Sequence, residues 1–284
     1  MRRIGFVLAA AMLLAGAQAN APVNAQGRLP IFDCHVHYGQ NDWASYPTGK
    51  VLELFQAAGV ARVLASSTPD DGTLMLHKAA PDRVGPVLRP YRAGVTSSNW
   101  FNDPKLIEYL EGRLKAGDYK GIGEFHLFDA ANAGTPQVKR VTELALERGI
   151  HLHVHSGAAP IEALFKVEPR LKILWAHAGM SEPPEVVGPM LEKYPALVTE
   201  LSFRAGDVAP GGKLDARWKA LFEKYPERFM IGTDTYITPR WGDYVGLIEA
   251  HRAYLVQLPR DLAEKIAFRN AVRLFGGGGI KELN

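Results

Sequence analysis

The strongest constraint in this sequence is an alternation repeated eight times. From about residue 30 onward, a short apolar run is followed by a longer amphipathic stretch. The apolar runs read as strands over residues 31–34, 61–66, 84–89, 121–126, 150–155, 172–177, 197–202 and 229–234. Helical spacing fills 49–58, 72–80, 105–116, 136–148, 160–167, 184–194 and 214–225 between them, with 242–258 and 260–275 after the last strand. Pro136 and Pro184 stand near helix starts, and Gly59, Gly117 and Gly149 near helix ends, where each is best tolerated. Strands joined through helices run parallel, which leaves an open doubly wound sheet or a closed barrel. No Gly-x-Gly-x-x-Gly follows the first strand, and no Gly-rich phosphate loop ending in Lys-Ser or Lys-Thr appears. Eight strands select the barrel. The predicted fold is α/β, a single-domain (β/α)8 TIM barrel with an extra C-terminal helix.

The rest of the composition narrows the function classes. Of 284 residues, 47% are hydrophobic and 22% charged, an ordinary globular balance. The single cysteine, Cys34, allows neither an internal disulfide nor a cysteine-rich zinc module. Residues 1–25 read as a cleaved signal peptide. Arg2 and Arg3 precede an apolar run of about a dozen residues, and the small-residue sites Ala17-Gln18-Ala19 and Val23-Asn24-Ala25 follow. That run is shorter than the roughly 20 residues needed to span a bilayer. The expectation is a periplasmic or secreted protein without a stable membrane anchor, its barrel occupying residues 26–284. Without the leader, 31 basic side chains face 30 acidic ones, so the formal charge falls from +3 to +1. No electrostatic footprint for nucleic acid remains.

The chemistry concentrates at the strand ends. Of nine histidines, seven fall in or just after proposed strands: His35, His37, His126, His151, His153, His155 and His177. Barrel active sites are built at the C-terminal ends of the strands. Side chains two apart on a strand share a face, so His35 and His37 in Asp33-Cys34-His35-Val36-His37 can converge on one ion. His155 closes the fifth strand, His177 the sixth and Asp234 the eighth, while Glu124 sits in the fourth beside Gly121 and Gly123. Singly, Asp234 also fits a helix N-cap and His177 a satisfied buried histidine; together they read as a divalent metal site. Nitrogen and oxygen ligands without thiolate suit zinc first, then manganese or iron.

These residues resemble the amidohydrolase superfamily, in its amidohydrolase-related branch. The resemblance runs over residues 30–276 and includes Asp33–His37, Glu124, Val154-His155-Ser156-Gly157, His177-Ala178-Gly179 and Gly232-Thr233-Asp234. The closing Asn270-Ala271-Val272-Arg273-Leu274 matches a pattern that is structural in that branch. The resemblance implies that His35, His37 and Asp234 bind one metal, and that His155 and His177 bind a second where one is present. In single-metal members the fifth-strand histidine joins the first site and the sixth-strand one polarises substrate or positions water. Many two-metal members carry a carboxylated lysine where this chain has Glu124, so one or two ions stay open, as does the role of Glu124.

The expected function is metal-dependent hydrolysis of an amide, lactone or ester bond in a small molecule. Asp234 is the expected proton carrier, and His177, where it is not a ligand, the donor to the carbonyl. A non-oxidative decarboxylase or lyase of a carboxylic acid on the same fold is the alternative. A non-catalytic metal- or solute-binding protein is the reading from another class. Arg204, Arg89 and Tyr236, together with Arg92, Arg240 and Trp241, follow strands where they can meet substrate, arginine forks suiting a carboxylate or phosphate. His126, His151 and His153 are weaker candidates, with His153 set to orient a ligand from below. A homodimer is the default oligomer.

Overall fold

The computed structural model describes residues 28–276. Eight strands, β1 (Ile31–Val36), β2 (Val60–Ala65), β3 (Val84–Leu88), β4 (Gly121–His126), β5 (His151–His155), β6 (Ile173–Trp175), β7 (Leu197–Glu200) and β8 (Phe229–Met230), form one parallel sheet in chain order. The sheet comes round on itself through a parallel bridge between Asp33 and Ile231, where the Cys34 amide donates to the Ile231 carbonyl at 2.8 Å. The result is the expected single-domain (β/α)8 barrel. No helix among the described residues is long and apolar enough to cross a membrane. The proposed signal peptide lies outside the described residues.

Five strands end earlier than the apolar pattern predicts, and two of these differences shape the site. β6 stops at Trp175 and β8 at Met230, so His177 and Asp234 stand on the turns beyond them. Both adopt left-handed backbone conformations, φ 57° and 53°, which no strand ladder can accommodate. Glycine sets another close approach. Gly123 in β4 has φ 139°, and a Cβ there would lie 2.2 Å from the His153 carbonyl oxygen of β5. Only glycine lets the two strands come that near.

Residues 260–275 close the lower end of the barrel. The helix predicted there is interrupted by a wider π segment, Lys265–Arg269, between Arg260–Glu264 and Asn270–Phe275. The Asn270 amide donates to the Pro226 and Phe229 carbonyls, both at 2.9 Å, and ties the helix to the start of β8. Phe275 packs on His151, ring centroids 4.7 Å apart, at the start of β5. His151 therefore belongs to the floor of the barrel, at the end opposite the other strand histidines.

The floor and flank also carry an acid liability. Burial pushes His151 down to about 4, with Lys172 and Arg273 adding to it. Burial also lowers His251 to about 4, where its Nε2 donates to the Gly232 carbonyl and its Nδ1 accepts from Tyr254. In the unfolded chain both protonate near 6.5. Between about pH 6.5 and 4 the unfolded state takes up protons that the folded state refuses, so stability falls as pH falls. Each histidine contributes about 1.4 kcal/mol per pH unit across that window. Urea midpoints measured from pH 7 to 5 should drop, and His251→Gln should flatten the slope by close to one proton. An unchanged slope in that variant removes His251 from the account.

Candidate metal centre

The upper end of the barrel brings the predicted ligands together. His35 and His37 leave β1 with their Nε2 atoms 3.0 Å apart. Each ring is held from behind at Nδ1, His35 by Glu200 Oε1 at 3.0 Å and His37 by the Ser66 carbonyl. Those partners accept, so the hydrogens sit on Nδ1 and both Nε2 lone pairs face the same small space. Asp234 Oδ1 reaches it as well, 3.2 Å from His37 Nε2 and 3.6 Å from His35 Nε2. From β4, Glu124 presents one oxygen to each histidine pair. Its Oε2 lies 3.2 Å from His37 Nε2 and 3.5 Å from His35 Nε2. Its Oε1 lies 2.7 Å from His155 Nδ1 and 3.5 Å from His177 Nε2.

The cluster is built for positive charge. Glu124, Glu200 and Asp234 are all buried, and with the histidine rings neutral, as ion binding requires, the Arg89 guanidinium, 2.9 Å from Glu124, is the one cation among the described residues paired with them. Three carboxylates against one guanidinium leave two negative charges uncompensated in a low-dielectric site. Burial alone would raise all three carboxyls. In the metal-free protein a proton on His35, which the three carboxylates hold well above the usual imidazole range against its burial, outweighs it, keeping Asp234 down at about 2 and Glu124 and Glu200 far below the usual carboxylate range. Asp234 Oδ1 is buried and accepts no hydrogen bond. A lone oxygen facing two imidazole lone pairs beside a double negative charge fits a divalent cation, and the donor set of nitrogen and carboxylate oxygen fits zinc, manganese or iron. The groups able to hold an ion include His35–His37–Asp234 and His35–Glu124–His177.

Strained turns aim two of these side chains, and arginines clamp both turns. A non-glycine residue in the left-handed region costs on the order of 1–3 kcal/mol and persists only where its surroundings hold it. Behind His177, Arg204 Nη1 donates to the His177 and Ala178 carbonyls at 3.0 and 3.2 Å, and Nη2 to Glu182 at 2.8 Å. Behind Asp234, Arg240 donates to the Asp234 and Thr233 carbonyls at 2.7 and 2.6 Å. Arg204 is buried with its fork occupied by backbone, so it supports His177 from behind instead of facing the mouth, where the sequence reading put it.

Glu200 is the residue the sequence reading missed. It ends β7 fully buried and binds four donors: His35 Nδ1, the His177 amide at 2.7 Å, the Ser202 amide at 2.7 Å and the Ser202 hydroxyl at 3.0 Å. A Cβ on Gly232 would sit 1.9 Å from Glu200 Oε2, so the glycine in Gly232-Thr233-Asp234 makes room for this carboxylate. The available signal was an acidic residue inside an otherwise apolar strand end.

The other candidates divide by position. Arg89 lines the mouth, but its Nε and Nη2 donate to Glu124 and its Nη1 lies 3.5 Å from His37 Nδ1. Tyr236 is exposed at the rim beside Phe203. Arg92 pairs with Asp103. Trp241 is buried against Tyr244 and stays away from the mouth. His153 lies beneath the cluster with its ring edge against His35, centroids 4.5 Å apart. Over the ligands opens a cavity of about 270 Å³, and a second of about 630 Å³ adjoins it across Arg89 and Tyr236.

Solved structures share this architecture. A candidate 2-pyrone-4,6-dicarboxylic acid hydrolase from Pseudomonas putida aligns with a TM-score of 0.62 at 20% identity, covering 88% of this chain and 98% of its own. The 5-carboxyvanillate decarboxylase of Novosphingobium aromaticivorans, complexed with manganese and 4-hydroxy-3-methoxy-5-nitrobenzoic acid, aligns at 0.57 and 11%, covering 89% and 98%. The N-acetyl-D-glucosamine-6-phosphate deacetylase of Mycobacterium smegmatis aligns at 0.62 and 17%, covering 90% and 78%. At these identities the likeness speaks for the fold alone. No curated protein sequence gives a significant match. The family model described as amidohydrolase matches residues 32–277, nearly the whole barrel, and the chain belongs to that family.

Proposed function

We propose that the chain is a metal-dependent hydrolase that cleaves an amide, lactone or ester bond in a small molecule. One observation carries the reading: Asp234 Oδ1, buried and unpartnered, faces the His35–His37 pair while its carboxylate also lines the cavity. His35, His37 and Asp234 would hold a first ion, and His155 and His177 a second, with Glu124 between the pairs. Zinc is the first metal to test, with manganese and iron next. The chemistry such an ion supplies when bound is activation of water near neutral pH and polarisation of the scissile carbonyl. Asp234, ionised and reaching both ion and cavity, accepts the proton of the attacking water and returns it to the leaving group. Glu200 and the Ser66 carbonyl keep the His35 and His37 lone pairs aimed.

The mouth also describes the substrate. Of seven exposed large apolar side chains among the described residues, Met180, Phe203, Tyr236 and Ile237 line the two cavities, and Phe128 stands next to them against His126 and His155. Beside them stands the Arg89 guanidinium. That pairing favours a small molecule with an apolar ring face and oxygen substituents. The leader-like residues 1–25 support work in the periplasm or outside the cell.

Metal analysis of the purified protein, followed by assay of lactones, amides, esters and aromatic acids in 18O-labelled water, tests the reading. One to two ions per chain and 18O in the product are expected. Carbon dioxide released from an aromatic acid without 18O incorporation would assign the decarboxylase chemistry instead. Protein that binds no divalent metal overturns both.

A further inference from the structure

Tyr91 and His126 stand beside the ligand cluster, and the hydrogen bonds between them limit what His126 can do. The Tyr91 phenol oxygen lies 2.7 Å from the backbone N–H of His126 and 2.8 Å from its ring Nδ1. A backbone N–H can only donate, so the oxygen accepts there. Its own hydrogen then has Nδ1 as its acceptor. A proton on Nδ1 would strand the hydroxyl hydrogen at a residue only 6% exposed, at the cost of an unmade buried hydrogen bond. Nδ1 is therefore the unprotonated nitrogen, and in the neutral ring the hydrogen sits on Nε2.

The ring is also fixed in space. It stacks on His155 with centroids 4.0 Å apart and planes 24° apart, and Phe128 lies 5.3 Å away. Tyr91 sits under the Arg89 guanidinium at 4.8 Å. His126 lines the same cavity as Glu124, His177 and Asp234, and among the described residues its Nε2 has no hydrogen-bond partner. Glu124, His126 and His155 are close enough to hold an ion between them. An Nε2 that carries hydrogen has no lone pair to offer, and Nδ1 is taken by Tyr91, so that trio is not an ion site.

We propose that Tyr91 locks His126 as an Nε2–H donor that binds a carbonyl or carboxylate oxygen of the substrate at the barrel mouth. The substrate half rests on the hydrolase reading; the tautomer half stands without it.

Long-range 1H–15N correlation spectra of the full chain, loaded with zinc and labelled at histidine, read the tautomer directly. His126 should show Nε2 protonated and Nδ1 bare, and Tyr91→Phe should mix the two tautomers. Benzoate, used as the probe anion, should shift the His126 Nε2 resonance. His126→Phe should weaken benzoate about tenfold, while His126→Gln, which keeps an N–H donor, should stay within about threefold. A wild-type ring protonated at Nδ1, an Nε2 bound to zinc, no response of His126 to benzoate, or equal losses in the two His126 variants would each overturn the proposal. None of these readouts needs turnover, so failure of the hydrolase reading stays distinguishable from failure of this one.

Discussion

Asp234→Asn is expected to lower turnover by about two to four orders of magnitude while leaving the fold intact. The variant keeps the shape of the side chain and one oxygen to face His35 and His37, and it loses the charge and the proton-accepting site. Asparagine is among the few residues that tolerate the left-handed backbone found at position 234, so the turn held by Arg240 survives. The Asp234 carboxyl is held down at about 2, against its burial, by the imidazole rings facing it, so its charge supports the metal-free fold. Metal-free Asp234→Asn should therefore melt below the metal-free parent, and its thermal shift on adding zinc should be smaller. Metal content and turnover must be measured separately. Metal retained together with unchanged turnover would remove Asp234 from proton transfer.

The fold was legible because each layer of the barrel writes a separate signal. Apolar runs such as Val84–Leu88 and Ile173–Trp175 are buried as strands, and the helices between them keep one apolar face. Ligand types at strand ends were legible for the same reason, since barrel geometry gathers those ends at one mouth. What a linear pattern could not carry was backbone direction. His177 and Asp234 looked like the last residues of strands, yet the chain has already turned into the left-handed region at both. Arg204 looked like a substrate-facing loop arginine because nothing in its neighbourhood says that its fork meets carbonyls from residues 177, 178 and 182. His151 looked like its neighbours His153 and His155, but its place at the start of β5 puts it on the floor. Glu200 escaped because its partners come from β1, the β6 turn and two residues ahead.

Glu200→Gln is expected to cost the site more than its distance from the substrate suggests. Glu200 holds the His35 ring from behind, and partners of this kind typically contribute 10- to 100-fold in metal affinity. As a carboxylate it accepts at both oxygens, taking His35 Nδ1, the His177 amide and the Ser202 hydroxyl at Oε1 and the Ser202 amide at Oε2. Glutamine offers one accepting oxygen and an NH2 group, so in either orientation a donor faces a donor. A buried donor left unpaired costs about 1–3 kcal/mol, and flipping the amide chooses between the donors at Oε1, which include His35 Nδ1 and the His177 amide, and the single one at Oε2. With the NH2 at Oε1, His35 turns its hydrogen to Nε2 and loses the lone pair aimed at the ion. With the NH2 at Oε2, the Ser202 amide alone is stranded, so this orientation costs less, and His35 Nδ1 then meets a neutral oxygen in place of a charged one, which weakens its hold on the ring and on the ion. Competition with a chelator should show zinc affinity lower by roughly 10- to 100-fold, and urea unfolding of the metal-free chain should show lost stability. Ser202→Ala removes one donor and leaves the carboxylate, so it serves where Glu200→Gln does not fold, with a smaller loss in the same direction. A folded Glu200→Gln protein that binds zinc as tightly as the parent would show that His35 needs no partner behind it.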